Sequence, residues 1–177
     1  MKLVNRKLVA LLLMVIIALS LAFLASDRIE THRNWLLMSN STQRFNLNMN
    51  TAVINFQGAF QNTSSQEKEF FMTAIAKAHS EIVYLIDLDS GHSAEFEKIL
   101  GFLTSLQDTA LIGLNETARS NLEMAINNIG DKVMHAYIGV LTSPRINEVS
   151  FWYVGPAPPD EVLLQEAAGI ASQATIK

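Results

Sequence analysis

Residues 118–140 read ARSNLEMAINNIGDKVMHAYIGV, and the apolar side chains in this stretch recur at steps of three and four. Because an α-helix has 3.6 residues per turn, this spacing places them along one stripe of a helix. The stripe consists of Ala118, Leu122, Ala125, Ile129, Val133, Ala136 and Val140. The pattern predicts a long helix, from about Asn115 to Leu141, that buries one face in a bundle.

Three segments upstream show the same spacing, at residues 42–61, 64–85 and 93–106. Short connections favour antiparallel packing of helices that follow one another in the sequence. A further short helix is predicted after Pro158 and Pro159, with acidic residues in its first turn. The sequence thus predicts an all-α fold: an N-terminal transmembrane helix, an up-down bundle of about four helices, and a short C-terminal helix.

The transmembrane prediction depends on the stretch LVALLLMVIIALSLAFLAS at residues 8–26. Positions 8–25 contain no charge and a single polar residue, Ser20. Eighteen residues with a rise of 1.5 Å each span roughly 27 Å, which is close to the thickness of the hydrocarbon core of a bilayer. Residues 8–25 are therefore predicted to anchor the chain in a membrane.

The charges around this segment predict its orientation. Lys2, Arg6 and Lys7 precede it, whereas the charges at residues 27–33 nearly cancel. The positive-inside rule then keeps the N-terminus in the cytoplasm and places the rest of this single-pass protein outside. The alternative is a signal peptide cleaved after Ala22, which would secrete the same domain. The uncleaved anchor is favoured because the apolar run continues through residues 23–25.

These features divide the chain into four predicted parts. Residues 1–26 form the anchor or signal peptide, residues 27–40 a helical connector, residues 41–142 the bundle, and residues 143–177 a proline-rich connection with the C-terminal helix. In that connection Phe151, Trp152 and Tyr153 lie between proline-containing turns. They are candidate contacts for a protein partner; alternatively, they cover one end of the bundle.

Charge and composition exclude several classes of function. Ten of the 13 basic residues and all 17 acidic residues follow residue 26, so the predicted outer domain has a net charge of −7. Such a domain repels phosphate backbones, and we expect no nucleic-acid partner. The absence of cysteine excludes disulfides, thiolate metal sites and cysteine nucleophiles.

The densest group of polar side chains lies in IDLDSGHSAEFEK, residues 86–98. It offers weak candidate metal ligands, namely Asp87, Asp89, His92 and Glu95. Counted from Asp87 as a calcium-binding loop, however, position 12 is Lys98 instead of the required Glu. The favoured interpretation is a turn between two helices, in which Gly91 adopts a left-handed conformation and Ser93 caps the next helix.

Three sequons make Asn40, Asn62 and Asn115 candidate glycosylation sites. All three lie near predicted helix starts, and helix capping by Asn40 and Asn115 is the alternative interpretation. With 13 Asn in the chain, about two sequons are expected by chance, so three are no enrichment.

No catalytic motif is found: the four histidines form no metal-binding pair, and no Gly-x-Ser-x-Gly sequence occurs. We expect no cofactor and no enzymatic activity, and a hydrolase with a dispersed active site is the least favoured alternative. The sequence predicts a membrane-anchored protein with a binding, tethering or assembly role, through a protein partner or a second copy. A small-ligand or metal-binding domain that uses the turn at residues 87–95 is the principal alternative.

Overall fold

The computed structural model describes residues 2–60, 65–108, 114–137 and 158–174; the side chains of residues 2–7 and 108 are not described. The described residues confirm the all-α prediction and form five α-helices. These are α1 (Lys2–Phe60), α2 (Ser65–Leu88), α3 (Ser93–Asp108), α4 (Glu116–Ala136) and α5 (Glu161–Ala174). A single 3₁₀ turn, Ser90–His92, joins α2 to α3.

Helix α1 is continuous over 59 residues, with no break at residue 26 or residue 40. Its length is about 88 Å, given the 1.5 Å rise per residue. The most apolar 18-residue window at its N-terminal end has a mean hydropathy of 3.1, and none of that window is buried. Among the described residues, α1 alone is long and apolar enough to cross a membrane.

The C-terminal half of α1 forms one wall of the bundle. Its buried stripe follows the predicted spacing and consists of Phe45, Met49, Ala52, Phe56 and Phe60. Burial begins earlier than predicted, because His32 and Met38, in the predicted connector, are already 1% and 6% exposed. The bundle therefore includes the last residues of the predicted connector.

The five helices pack in a closed ring in the order α1, α2, α3, α5, α4. Helix α1 runs antiparallel to α2, because Ser41 contacts Glu81 while Phe56, further along α1, contacts Phe71, earlier in α2. It also runs antiparallel to α4, because Asn46 contacts Met134 while Met49 lies beside Gly130. Helices α4 and α5 are also antiparallel, because Ala136 in α4 contacts Asp160 at the start of α5, while Lys132, one turn earlier in α4, contacts Glu166, further along α5. Since direction alternates along the chain, a ring of five helices must contain one parallel pair, and that pair is α3 and α5.

The position of α5 differs from the simplest sequential arrangement, in which α3 and α4 would be neighbours. Helix α5 lies between them and contacts both. Three of its four fully buried residues are alanines, Ala167, Ala168 and Ala171. Their small side chains allow close approach to both neighbours, so the C-terminal helix completes the core instead of lying on its surface.

The turn between α2 and α3 differs in detail from its prediction. Gly91 belongs to the 3₁₀ turn and does not adopt a φ in the left-handed region. Ser93 has helical angles, φ −56° and ψ −37°, and is the first residue of α3 instead of its cap. The two helices are joined by a tight 3₁₀ turn, so neither a glycine C-cap nor a serine N-cap is needed.

Candidate functional site: a polar cluster at one end of the bundle

Asp89, at the start of the 3₁₀ turn, is the centre of a hydrogen-bonded cluster. Its Oδ2 accepts a hydrogen bond of 2.5 Å from the hydroxyl of Tyr137 and lies 2.9 Å from Nδ1 of His92. Its backbone N–H donates to the carbonyl of Leu85 at 2.8 Å, which fixes the carboxylate against the end of α2. One side chain therefore connects the end of α2, the turn before α3, and the end of α4.

Tyr137 is fully buried and lies immediately after the last helical residue of α4, with φ −105° and ψ 12°. Burial raises the pKa of Tyr137 far above its usual value, and the hydrogen bond and negative charge of Asp89 raise this pKa further. The hydroxyl therefore stays protonated at neutral pH and acts as a donor. A protonated hydroxyl of this kind links helices through a hydrogen bond and does not exchange its proton as an acid or base near neutral pH.

The start of α5 is fixed at the same end of the bundle. The N–H of Asp160 donates to the carbonyl of Ala136 at 2.8 Å. The side chain of Asp160 in turn accepts from the N–H groups of Val162 and Leu163, at 3.0 and 3.2 Å, and caps α5. The two described residues that flank residues 138–157, Tyr137 and Pro158, thus lie at this end of the bundle.

A second polar connection joins α1 to α2. Glu81 accepts a hydrogen bond from Ser41 and pairs with Arg44, whose Nε lies 2.9 Å from Oε1. Ser41 is fully buried, whereas the Arg44 side chain is 57% exposed. Because an exposed ion pair contributes little stability, this contact fixes the register of α1 on α2 more than it strengthens the bundle.

The opposite end of the bundle contains a cleft of about 560 Å³ between the end of α1 and the start of α4. Phe56 and Phe60 form its apolar wall, and Arg119 and Glu123 contribute polar groups. The two phenylalanines also pack edge-on against Phe71, with ring centroids 5.9 and 5.8 Å away. Because Phe56 and Phe60 are 1% and 5% exposed, the accessible lining of the cleft is mainly polar.

The structure brings together only two of the four candidate metal ligands. Asp89 and His92 are in contact, whereas Asp87 is exposed and neither it nor Glu95 has a hydrogen bond or ion pair with them. Across residues 2–60, 65–108, 114–137 and 158–174, no group of three or more His, Asp or Glu side chains is arranged to hold a metal ion. The third member of the cluster is Tyr137, which lies outside residues 86–98 and was not among the predicted ligands.

The candidate glycosylation sites have different surroundings. Asn115 is the N-cap of α4, and its side chain accepts from the N–H of Ala118 at 2.8 Å. Asn40 is exposed in the interior of α1, so the interpretation of Asn40 as a helix cap was wrong. Asn62 lies outside the described residues, as do the candidate interaction residues Phe151, Trp152 and Tyr153.

Comparison with known proteins provides no relative. No protein-family model matches the chain, and no curated protein and no solved structure matches it significantly. Function must therefore be inferred from the geometry of the chain itself.

Proposed function

We propose that this protein is a single-pass, membrane-anchored subunit whose helical bundle lies outside the membrane and has a binding or assembly role. The observation that carries the proposal is the difference between the two parts of α1. Its residues 8–25 are apolar and exposed, while its residues 38–60 supply one stripe of the bundle core. A helix that is apolar on all sides requires an apolar environment, whereas a helix with one buried stripe suits an aqueous bundle.

The continuity of α1 determines how the bundle is held. Only nine residues separate Ala25 from Trp35, which packs against the core. The ten helical steps from Ala25 to Trp35 rise about 15 Å, so the bundle is held close to the bilayer on a stiff connection. Because α2 and α4 run antiparallel to α1, the end with Asp89 and Tyr137 faces the membrane and the Phe56–Arg119 cleft faces away.

Alkaline carbonate washing of membranes from cells that produce the full chain tests the anchor. We expect the protein in the membrane pellet, with the intact mass of 19.6 kDa. Replacement of Leu12 and Ile16 by Lys should release it, because a charge at the centre of a span costs about 2.5–3.5 kcal/mol. Val162→Lys, a charge on an exposed position of α5, is the matched control and should leave the protein in the pellet.

Recovery of a soluble form that lacks residues 1–22 would instead support the cleaved signal peptide and a secreted protein. Recovery of an intact form in the soluble fraction would contradict both.

A small-ligand-binding role is the second candidate, supported by the cleft at Phe56, Phe60 and Arg119. The cleft is a better candidate ligand site than the turn at residues 87–95, because Asp89 in that turn already contacts Tyr137 and His92. Screening small polar compounds by thermal shift tests this role. A compound that stabilises the wild type but not Arg119→Ala would support it.

A further inference from the structure

His32, Ser39 and Asn46 form one line along α1, and the last of them faces α4. Asn46 contacts Met134 in α4. Residues seven apart on a helix lie within about 20° of one another, so Ser39 and His32 continue the line towards the membrane segment. All three residues are buried, with exposures of 1% at His32, 3% at Ser39 and 8% at Asn46.

Helix α4 ends too early to bury the first two of these residues. It runs antiparallel to α1, and its last residue, Ala136, lies only about 3 Å beyond Met134 in the direction of the membrane segment. Ser39 lies about 10 Å beyond Asn46 in the same direction, and His32 about 21 Å. Helix α5 begins beside Ala136 and runs back along the bundle, away from both residues.

Helix α2 lies on the other side of α1. Ser41, which contacts Glu81 in α2, follows His32 by nine residues, or two and a half helical turns, so the two side chains point in opposite directions. Where only α2 and α4 flank α1, the side of His32 is open: Leu47 and Ile54, within about 60° of it, are 66% and 81% exposed. None of the five described helices therefore covers His32.

Residues 138–157 are the remaining part of the chain that adjoins this end of the bundle. They connect Tyr137 to Pro158, and the backbone bond between Asp160 and Ala136 holds both flanks beside α1. Residues 61–64, 109–113 and 175–177 follow helices that end at the opposite end. Twenty extended residues span up to about 66 Å, so a loop that goes out and back can reach His32.

The sequence of this stretch, IGVLTSPRINEVSFWYVGPA, suits a helix surface that is to be buried. It contains two charged residues, Arg145 and Glu148, and these cancel. Aliphatic and aromatic residues supply much of the remainder, including the cluster of Phe151, Trp152 and Tyr153. Burial of such side chains against α1 is favourable because it removes apolar surface from water.

We propose that residues 138–157 bind along α1 at His32, Leu36 and Ser39, between the bundle and the membrane segment. Half-burial of Leu36, on the same side of α1, agrees with this position. The aromatic cluster then stabilises the chain's own stalk instead of binding a protein partner. The inference does not depend on the membrane anchor, because the surface and its occupant belong to one chain and would meet in a secreted form as well.

Maleimide labelling of single-cysteine variants tests this contact. The chain has no cysteine, so each variant is labelled without background. In the full chain we expect Ser39→Cys to react slowly and Leu47→Cys, the exposed control on α1, to react fast. Replacement of residues 139–156 by a short Gly-Ser linker should raise the rate at Ser39→Cys roughly tenfold and leave the rate at Leu47→Cys unchanged.

Met49→Cys, at a fully buried position of α1, reports whether the shortened chain still folds. It should stay protected in both forms. If the shortened chain exposes it, photo-cross-linking of the full-length chain decides instead. Replacement of Leu36 by p-benzoylphenylalanine should then give, after irradiation and mass spectrometry, a cross-link to residues 138–157, whereas the same replacement of Leu47 should not.

Three results would overturn the proposal. The first is Ser39→Cys that reacts as fast as Leu47→Cys in the full chain. The second is Ser39→Cys that stays equally protected after residues 139–156 are replaced, while Met49→Cys remains protected. The third is a cross-link from position 36 to another protein or to another part of the chain.

Discussion

The hydroxyl of Tyr137, at the end of α4, donates a 2.5 Å hydrogen bond to the carboxylate of Asp89, which lies 48 positions earlier in the turn between α2 and α3. Both residues lie at the end of the bundle where α5 also begins. This bond holds α4 against the α2–α3 pair. The N–H of Asp160, the residue that caps α5, donates to the carbonyl of Ala136, so the start of α5 is held at the same end.

Tyr137→Phe removes this hydrogen bond and keeps the buried ring. We expect the free energy of unfolding to fall by roughly 1.5–3 kcal/mol, because the acceptor is a charged group that loses a partner. Tyr84→Phe, on a tyrosine that is 37% exposed, is the matched control and should change stability by less than about 0.5 kcal/mol. Denaturant unfolding measures both, and equal effects of the two variants would refute the role of the bond.

Alkaline pH should weaken the bundle through the same residue. Burial and Asp89 raise the pKa of Tyr137 above the value of about 10 that the unfolded chain has. The stabilising contribution is therefore complete below pH 10 and is lost as pH rises above 10, by up to about 1.4 kcal/mol per pH unit. Unfolding measured at pH 9, 10 and 11 should show this slope in the wild type and a smaller slope in Tyr137→Phe. Parallel curves for the two proteins would contradict the assignment.

Gly130 lies where α4 approaches α1 closely. A Cβ at this position would lie 2.9 Å from both the Met49 Cβ and the Asn46 Oδ1. Gly130→Ala should therefore destabilise the protein by about 1–3 kcal/mol, since Met49 is held at its Cβ and cannot move aside alone.

Gly101→Ala is the matched control, because nothing lies within 4 Å of a Cβ built there. It should stabilise the protein by roughly 0.5–1 kcal/mol through higher helix propensity. Thermal unfolding of the two variants distinguishes these opposite signs, and destabilisation by both would show that the contact at Gly130 is not the cause.

Asn115 combines a capping role with a sequon, and three variants separate the two. In bacterially produced, unglycosylated protein, Asn115→Ala should cost about 1 kcal/mol, whereas Asn115→Asp should keep the cap and most of the stability. Thr117→Ala removes the sequon and leaves the cap, and it should be nearly neutral in this protein. A loss for Thr117→Ala equal to that for Asn115→Ala would argue against the cap as the source of stability.

The spacing of apolar residues predicted most of the core. The stripes of α2 and α4 are buried as the periodicity requires, from Phe71 to Leu85 and from Leu122 to Ala136. Continuity of α1 is also consistent with the sequence, because residues 27–40 contain no proline or glycine that would end a helix. The buried stripes and the continuity of α1 can be predicted from the sequence because both depend on residues within a single helix.

Contacts between helices were predicted less well. The bond between Asp89 and Tyr137 joins residues of different helices, and no local pattern reports such a pairing. One signal was present: Tyr137 follows Val133 by four positions on the buried stripe, and a buried tyrosine hydroxyl requires a partner. The position of α5 between α3 and α4 depends on the shape of the groove between them, which a periodicity does not encode.

The contacts of the glycines could not be predicted from the sequence either. A Cβ at Gly58 would meet the carboxylate of Glu67, which is the movable end of a long side chain, and a Cβ at Gly101 would meet nothing within 4 Å. Gly130, where α4 approaches α1 closely, is a buried residue of α4, and the sequence does not show that a larger side chain would clash there.

Site-specific labelling in intact cells tests the central claim most directly, namely that one helix connects a membrane span to a bundle outside. Single-cysteine variants of the otherwise cysteine-free full chain are exposed to a membrane-impermeant maleimide. We expect Ala76→Cys, on the exposed face of α2, to be labelled in intact cells and Asn5→Cys only after the cells are permeabilised. Labelling of Asn5→Cys but not Ala76→Cys in intact cells, or of neither until the cells are opened, would contradict this account.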